Sequence, residues 1–342
     1  MIQTTEFFLP QLPRLLSFAY HPNAAQIEFA SNGWVRQMLT DCFVGESELL
    51  RFLRERNGLY GSLTVPKASE QRARDVADWY QYVTVIDTLI LQIHNPRELF
   101  TAIVGDFNSD EVDDRQSYIK AANNLWRRIS PGLSKAQLSR FLTSLEVFLR
   151  GCASEIDVQS TIKPFDYEAC MALRMESFGC DFIELLTEYG AEVDMSDWRD
   201  EMNNLRLHCR RQMILVNDLL SWRKERLHGE KINLVRVLIE HEGCDLQSAV
   251  NRLVVLVEYH ERAYISVRDE ILSGTLGKRG DVRKYLLAID HLIAGSQEFE
   301  YMTPRYFGDG SVWDGSTFGW VDLEAEVTRL REHPNARHSP NL

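Results

Sequence analysis

The feature that most narrows the folds open to this chain is where its prolines fall. They occupy positions 10, 13, 22, 66, 96, 131, 164, 304, 334 and 340, so the stretch from Phe165 to Thr303 has none. Proline is the residue an interior helical turn tolerates least, because it lacks the amide donor and its ring collides with the preceding turn. A proline-free interval of that length admits long helices, and the apolar periodicity agrees. Between Ser134 and Arg150, the residues Leu138, Phe141, Leu142, Leu145, Phe148 and Leu149 form one stripe at helical spacing, with Ser134 placed to cap the first turn. Similar patterns run through 24–42, 69–93, 114–128, 165–188, 197–224, 246–273 and 281–299, separated by turn signals such as Asn95-Pro96, Pro131-Gly132, Gly190, His228-Gly229 and Gly277 to Gly280. The β-branched run from Val83 to Gln92 reads as strand by composition alone. It continues a charged, helix-favouring segment from Ala68 without a breaker, which predicts helix. The expectation is an all-α fold in one domain over residues 1–307, followed by a Gly- and Asp-rich tail or lid over 308–342, in part disordered.

Charge and composition exclude several classes. The 342 residues carry 38 Lys and Arg against 50 Asp and Glu, a net charge of −12, which argues against sequence-independent binding to nucleic-acid phosphates or anionic lipid. No apolar run reaches the roughly 20 residues of a membrane span, and the first residues lack the basic flank of a signal peptide, so the expected location is cytoplasmic. The six cysteines, at 42, 152, 170, 180, 209 and 244, show no C-x-x-C spacing and are expected as buried free thiols. The nine histidines form no H-E-x-x-H cluster, so a metal, if bound, is expected on oxygen.

Such an oxygen set stands in Val216-Asn217-Asp218-Leu219-Leu220-Ser221-Trp222-Arg223-Lys224-Glu225. On a helix, Asn217, Ser221 and Glu225 advance about 40° per step and place an amide oxygen, a hydroxyl and a carboxylate along about 12 Å of one face. Mg²⁺ suits these hard donors and takes its remaining ligands from water and substrate phosphates.

With these residues the chain resembles the class I terpene synthases of the bacterial and fungal type, whose N-D-x-x-S-x-x-x-E motif it matches, including the Lys before the Glu. Tyr301-Met302-Thr303-Pro304-Arg305-Tyr306 is similar to the Arg-Tyr pair that ends the family's last long helix, and Tyr167 to Gly179 to its segment with a diphosphate-sensing Arg and a helix-breaking Gly. His21 to Arg36 and Ala73 to Trp79 extend the likeness, which spans about 8–307. The resemblance implies a helical bundle around a central apolar cavity and a terpene cyclase that ionises farnesyl or geranylgeranyl diphosphate and cyclises the cation. It implies up to three Mg²⁺ ions, with Asn217, Ser221, Glu225 and Asp87 as metal ligands and Arg174, Lys224, Arg305 and Tyr306 around the diphosphate. Arg174, Asp87, Phe178 and Gly179 would serve catalysis, and the protein would be a monomer or a homodimer. Cation-lining aromatics are expected at Trp79, Tyr82, Phe178 and Phe299.

One departure is marked. Where the family carries D-D-x-x-D, this chain reads Asp87-Thr88-Leu89-Ile90-Leu91, which leaves one carboxylate and predicts fewer ions on that wall. The acidic segment from Asp106 to Asp114 is a candidate substitute, although a solvated turn is its plainer reading. Two alternatives stay open: a prenyltransferase on the same scaffold, and a diphosphate-binding relative without turnover. A proton-initiated cyclase is disfavoured, because no D-x-D-D run occurs.

Overall fold

In the computed structural model the described residues are 5–90, 95–105, 107, 116–160 and 166–334. They form helices α1 (Ala24–Met38), α2 (Glu46–Arg54), α3 (Tyr60–Thr64), α4 (Glu70–Leu89), α5 (Pro96–Gly105), α6 (Ser117–Ile129), α7 (Lys135–Ser160), α8 (Tyr167–Ser177), α9 (Cys180–Ala191), α10 (Asn203–His228), α11 (Leu234–Glu240), α12 (Leu246–Ser273), α13 (Gly280–Met302) and α14 (Pro304–Phe307). Local chemistry sets several boundaries. The side chains of Ser69, Asp166, Asn233 and Asp245 each accept from a backbone amide in the first turn of the helix that follows. Ser134 does the same for Gln137 N at 3.1 Å, as its position in the sequence suggested. The run from Val83 is helical to Leu89, so burial overrides β-propensity there.

The apolar faces gather into clusters that meet at one place. The N-terminal cluster joins α1, α2, α4, α6, α7 and α9 around Trp79, Phe141 and Phe182, whose rings meet edge-on or tilted at 5.1–5.4 Å. Truncating any of these rings to Ala costs about 3–5 kcal/mol. A second cluster joins α8, α10, α11, α12 and α14. α10 packs on α8, α11, α12, α13 and α14, so its middle is buried on nearly every side. The cavity described below lies between these two clusters. No helix among the described residues is long and apolar enough to cross a membrane.

The structure departs from the sequence expectation at the end of the last long helix. Arg305 and Tyr306 do not end the last long helix. α13 stops at Met302, Thr303 is extended, and a separate turn, α14, begins with Pro304 at its first position and the Thr303 hydroxyl on Arg305 N. α8 and α9 are parted where Gly179 takes φ +71°, at the glycine the resemblance implied as a helix break. As far as residue 334 the tail is packed, with Val321, Leu323 and Leu330 buried. Strand β1 (Glu6–Leu9) pairs antiparallel with β2 (Gly319–Asp322), Glu6 facing Asp322 and Leu9 facing Gly319. Arg223 on α10 also donates to the carbonyls of Asp322, Ala325, Glu326 and Tyr306. Residues 335–342 lie outside the described part.

Candidate active site

Most of the residues singled out in the sequence converge from α4, α8, α10 and α14, whereas Ser221 and Gly179 are not among those that line the cavity. A cavity of about 140 Å³ is lined by Asp87, Arg174, Phe178, Asn217, Lys224, Glu225, Arg305 and Tyr306, together with Tyr60, Tyr80, Val83, Thr84, Phe148, Glu155, Ser177, Ile183, Glu230 and Glu300. Polar groups reach it from α4, α7, α8, α10, α13 and α14. Tyr60 and Tyr80 stack at 3.8 Å in the same lining, and beyond these rings a small hollow continues between Val76, Phe182, Ile183 and Leu186. An apolar groove of about 210 Å³ near the start of α4 holds Lys67, Glu192, Lys284 and His291, but no convergent oxygen set.

Arg174 organises the polar wall. Its Nε donates to Asp218 Oδ1 at 3.1 Å, Nη1 to Glu155 Oε1 at 3.3 Å and Nη2 to Asn217 Oδ1 at 2.7 Å. Burial alone opposes its charge, but Asp218, Glu155 and Glu225 outweigh that and hold its pKa well above the ordinary value. The Asn217 amide is gripped on its other side, with Nδ2 donating to both oxygens of Glu300 at 3.2 and 3.1 Å and to Tyr306 Oη at 3.0 Å. Glu225 Oε2 accepts from Asn233 Nδ2 at 2.8 Å. Burial lifts Glu155 and Glu300 to about 7, against Arg174 for the first and against the Asn217 amide for the second. Asp218 is lifted to about 6 by burial, opposed by Arg174.

The oxygen donors fit a hard cation. Ser221 lies between Asn217 and Glu225, 1% exposed, and its hydroxyl is a buried polar atom without a hydrogen-bond partner. Such an atom is costly unless a ligand satisfies it. A positive group, the Arg174 guanidinium, already rests on Asn217 Oδ1. Among the described residues no group of three His, Cys, Asp or Glu side chains could hold a metal by itself, so amide and hydroxyl donors have to take part.

The other expected residues are placed as follows. Arg305 is partly buried; desolvation opposes its charge, and Glu55, Tyr306, Tyr80 and Asp87 more than offset it and raise its pKa. Lys224 Nζ lies 3.7 Å from Glu230. Asp87 is exposed at the C-terminal end of α4, where it borders the cavity. Gly179 starts α9 in the left-handed region, and a Cβ there would come within 3.2 Å of the Phe148 ring, so both space and φ favour glycine. The Arg174 guanidinium lies 5.7 Å from the centre of the Phe178 ring. All six cysteines are free, with Cys42 and Cys244 only partly buried.

Three of the four aromatics expected to line the cavity do not. Trp79 and Tyr82 point into the N-terminal cluster, because the cavity face of α4 is Tyr80, Val83, Thr84 and Asp87, about 100° around the helix from Trp79. Phe299 backs Tyr60 and Tyr80 edge-on at 5.4 Å. Sequence reasoning missed Glu155, Glu300, Tyr60 and Tyr80. Gly151 carried a signal for the first: a Cβ there would lie 2.5 Å from Ser177 N, so α7 and α8 touch at this glycine, one turn before Glu155. The acidic segment from Asp106 to Asp114 lies outside the described residues apart from Phe107, and Leu91 lies outside them as well.

Comparison with known proteins agrees with this arrangement. The model of terpene synthase family 2, C-terminal metal binding, matches residues 78–263, more than half of the chain. The sesquiterpene synthase Agr3 of Cyclocybe aegerita is 23% identical over 327 residues, which cover 89% of this chain and 90% of that protein. The (3S,6E)-nerolidol synthase of Selaginella moellendorffii is 25% identical over 322 residues, 90% of this chain and 85% of that one. Among solved structures, a linalool/nerolidol synthase from Streptomyces clavuligerus in complex with 2-fluorogeranyl diphosphate superposes with a TM-score of 0.73 at 20% identity, covering 82% of this chain and all of that one. A hedycaryol synthase superposes with a TM-score of 0.70 at 22% identity, covering 86% and 97%. With a matching metal-binding family model, the all-α fold and relatives aligned along most of their length, the chain belongs to the class I terpene synthases, enzymes that are carbon–oxygen lyases.

Proposed function

We propose that this enzyme ionises an acyclic allylic prenyl diphosphate, farnesyl or geranylgeranyl, with Mg²⁺, and cyclises the resulting cation to a hydrocarbon or alcohol. One observation carries the reading. Arg174, Asn217, Lys224, Glu225, Arg305 and Tyr306 line one cavity together with an aromatic and aliphatic set, Tyr60, Tyr80, Val83, Phe148, Phe178 and Ile183, and with Thr84, Asp87, Glu155, Ser177, Glu230 and Glu300. An anionic head and a dry hydrocarbon tail are the two halves of such a substrate.

Asn217, Ser221 and Glu225 would hold one Mg²⁺, and Asp87 would serve a second. The metal, when bound, supplies Lewis-acid stabilisation of the departing diphosphate. The chain's own groups do the rest. Arg174, Lys224 and Arg305 bind the diphosphate oxygens, and the Tyr306 phenol closes over them. The allylic C–O bond breaks with its electron pair leaving on diphosphate, and fixed positive groups in a low-dielectric pocket favour that charge separation. Tyr60, Tyr80, Phe148 and Phe178 offer ring faces to the cation and exclude water. Loss of a proton, or capture of one water, ends the sequence.

The test is incubation of the full chain with Mg²⁺ and farnesyl or geranylgeranyl diphosphate alone, followed by analysis of volatiles. A cyclised hydrocarbon or alcohol with released diphosphate is the expected result. Product that forms only when a second acceptor is supplied would favour the prenyltransferase reading, which the lone Asp87 carboxylate already disfavours in its chain-elongating form. Diphosphate binding without any turnover would make the protein a non-catalytic relative.

A further inference from the structure

Glu300 has no part in the chemistry above, yet it is 3% exposed at the cavity wall, and its hydrogen-bonding partners are an amide and a phenol. Burying a carboxylate is costly, so its surroundings invite a reason. Both oxygens accept from Asn217 Nδ2, and Tyr306 Oη, which itself accepts from Nδ2 at 3.0 Å, lies in the same group. On the opposite side of the amide, Oδ1 faces the Arg174 guanidinium at 2.7 Å. Turned by 180°, the amide would set its oxygen against a carboxylate and its NH₂ against a guanidinium, two repulsive contacts in place of attractive ones.

We propose that Glu300 is a positioning residue that fixes the orientation of the Asn217 amide, so that Oδ1, and never Nδ2, faces the cation. It reaches across from α13 to a ligand on α10, and because Tyr306 shares the contact, the same carboxylate ties that ligand to the turn that closes the pocket. The proposal rests on the reading of Asn217 as a metal ligand. A partner that orients a ligand in this way commonly contributes about 10- to 100-fold to metal affinity.

The experiment measures Mn²⁺ binding to the full-length protein in the presence of inorganic diphosphate, by calorimetry or by the loss of the free-ion resonance. Glu300→Ala frees Nδ2 and is expected to weaken Mn²⁺ at least tenfold. Glu300→Gln keeps a carbonyl oxygen for Nδ2 and turns its own NH₂ toward the Tyr306 oxygen, so it is expected to stay within about threefold of wild type. Equal loss in both variants would mean that charge matters rather than orientation, and would overturn the proposal, as would unchanged binding in Glu300→Ala. Should Glu300→Ala fail to fold, a second pair decides. Asn217→Asp sets two carboxylates together and is expected to bind Mn²⁺ poorly, whereas Asn217→Asp with Glu300→Gln regains a donor between them and is expected to recover at least tenfold. Equal affinity in that pair would overturn the proposal. Absence of Mn²⁺ binding in the wild-type protein would instead overturn the metal-site reading itself.

Discussion

The two walls expected to carry metal differ in almost every physical respect. On α10, Asn217 is 9% exposed, Ser221 1% and Glu225 7%, and the amide and carboxylate are held by neighbours from α8, α13 and α14 and by Asn233. On α4, Asp87 is exposed, two residues before the helix ends, and the next side chain, Thr88, is exposed as well. One wall is assembled before any ligand arrives. The other offers a single carboxylate at the cavity mouth. If both walls hold metal as proposed, α10 is the preorganised one and α4 is expected to contribute the smaller share of the binding energy, since a fixed donor loses little freedom when it is engaged.

The sharpest way to break that contrast is to remove a donor from each wall in turn. Asn217→Ala or Glu225→Ala is expected to lower kcat/KM at least about 10³-fold, and chelation of Mg²⁺ to abolish turnover while leaving the helical circular dichroism intact. Full activity under chelation would remove the basis of the metal-site reading. The next effect is on stability. Burial raises Glu155 and Glu300 from about 4.5 to about 7, so between those pH values the folded chain keeps protons that the unfolded chain has released. In the absence of metal and diphosphate, stability should therefore fall as pH rises through that window, by up to a few kcal/mol. Melting curves from pH 4.5 to 7.5 check this, and Glu155→Gln should flatten the profile. Asp87→Asn is expected to cost about 10- to 100-fold in the Mg²⁺ dependence of turnover, less than any loss on α10. The smallest change is a gain: Thr88→Asp adds a second carboxylate next to Asp87 and should tighten Mg²⁺ severalfold, read as a lower half-saturating concentration. Equal losses from Asp87→Asn and Asn217→Ala would erase the distinction between the walls.

The same contrast explains what could be read in advance. Asn217, Ser221 and Glu225 were legible because one helix carries all three, and helical spacing alone aligns them. The residues that hold them were not. Glu155 and Glu300 reach the site from helices 62 and 83 residues away from Asn217, a convergence set by packing rather than by any local pattern. Trp79 and Tyr82 are candidates by their position on the helix of Asp87, but α4 is buried around most of its circumference between Ala73 and Ile86. Periodicity there cannot say which apolar face meets the hollow, and Tyr80 and Val83 take that role. The docked tail was invisible for a different reason. Each of its strands is only four residues long, and they pair across more than 300 positions.

The grip of Arg223 on four backbone carbonyls has a mechanical consequence. One of those carbonyls belongs to Tyr306, and the guanidinium stems from the helix that bears Asn217, two positions past Ser221. Tyr306 and the helix that bears Asn217 thus share a rivet, and the rivet is braced by a strand that begins near the opposite end of the polypeptide. Trimming the chain after Phe307 removes three of the four carbonyls and is expected to loosen the hold of Tyr306 on α10, read as a lower Tm.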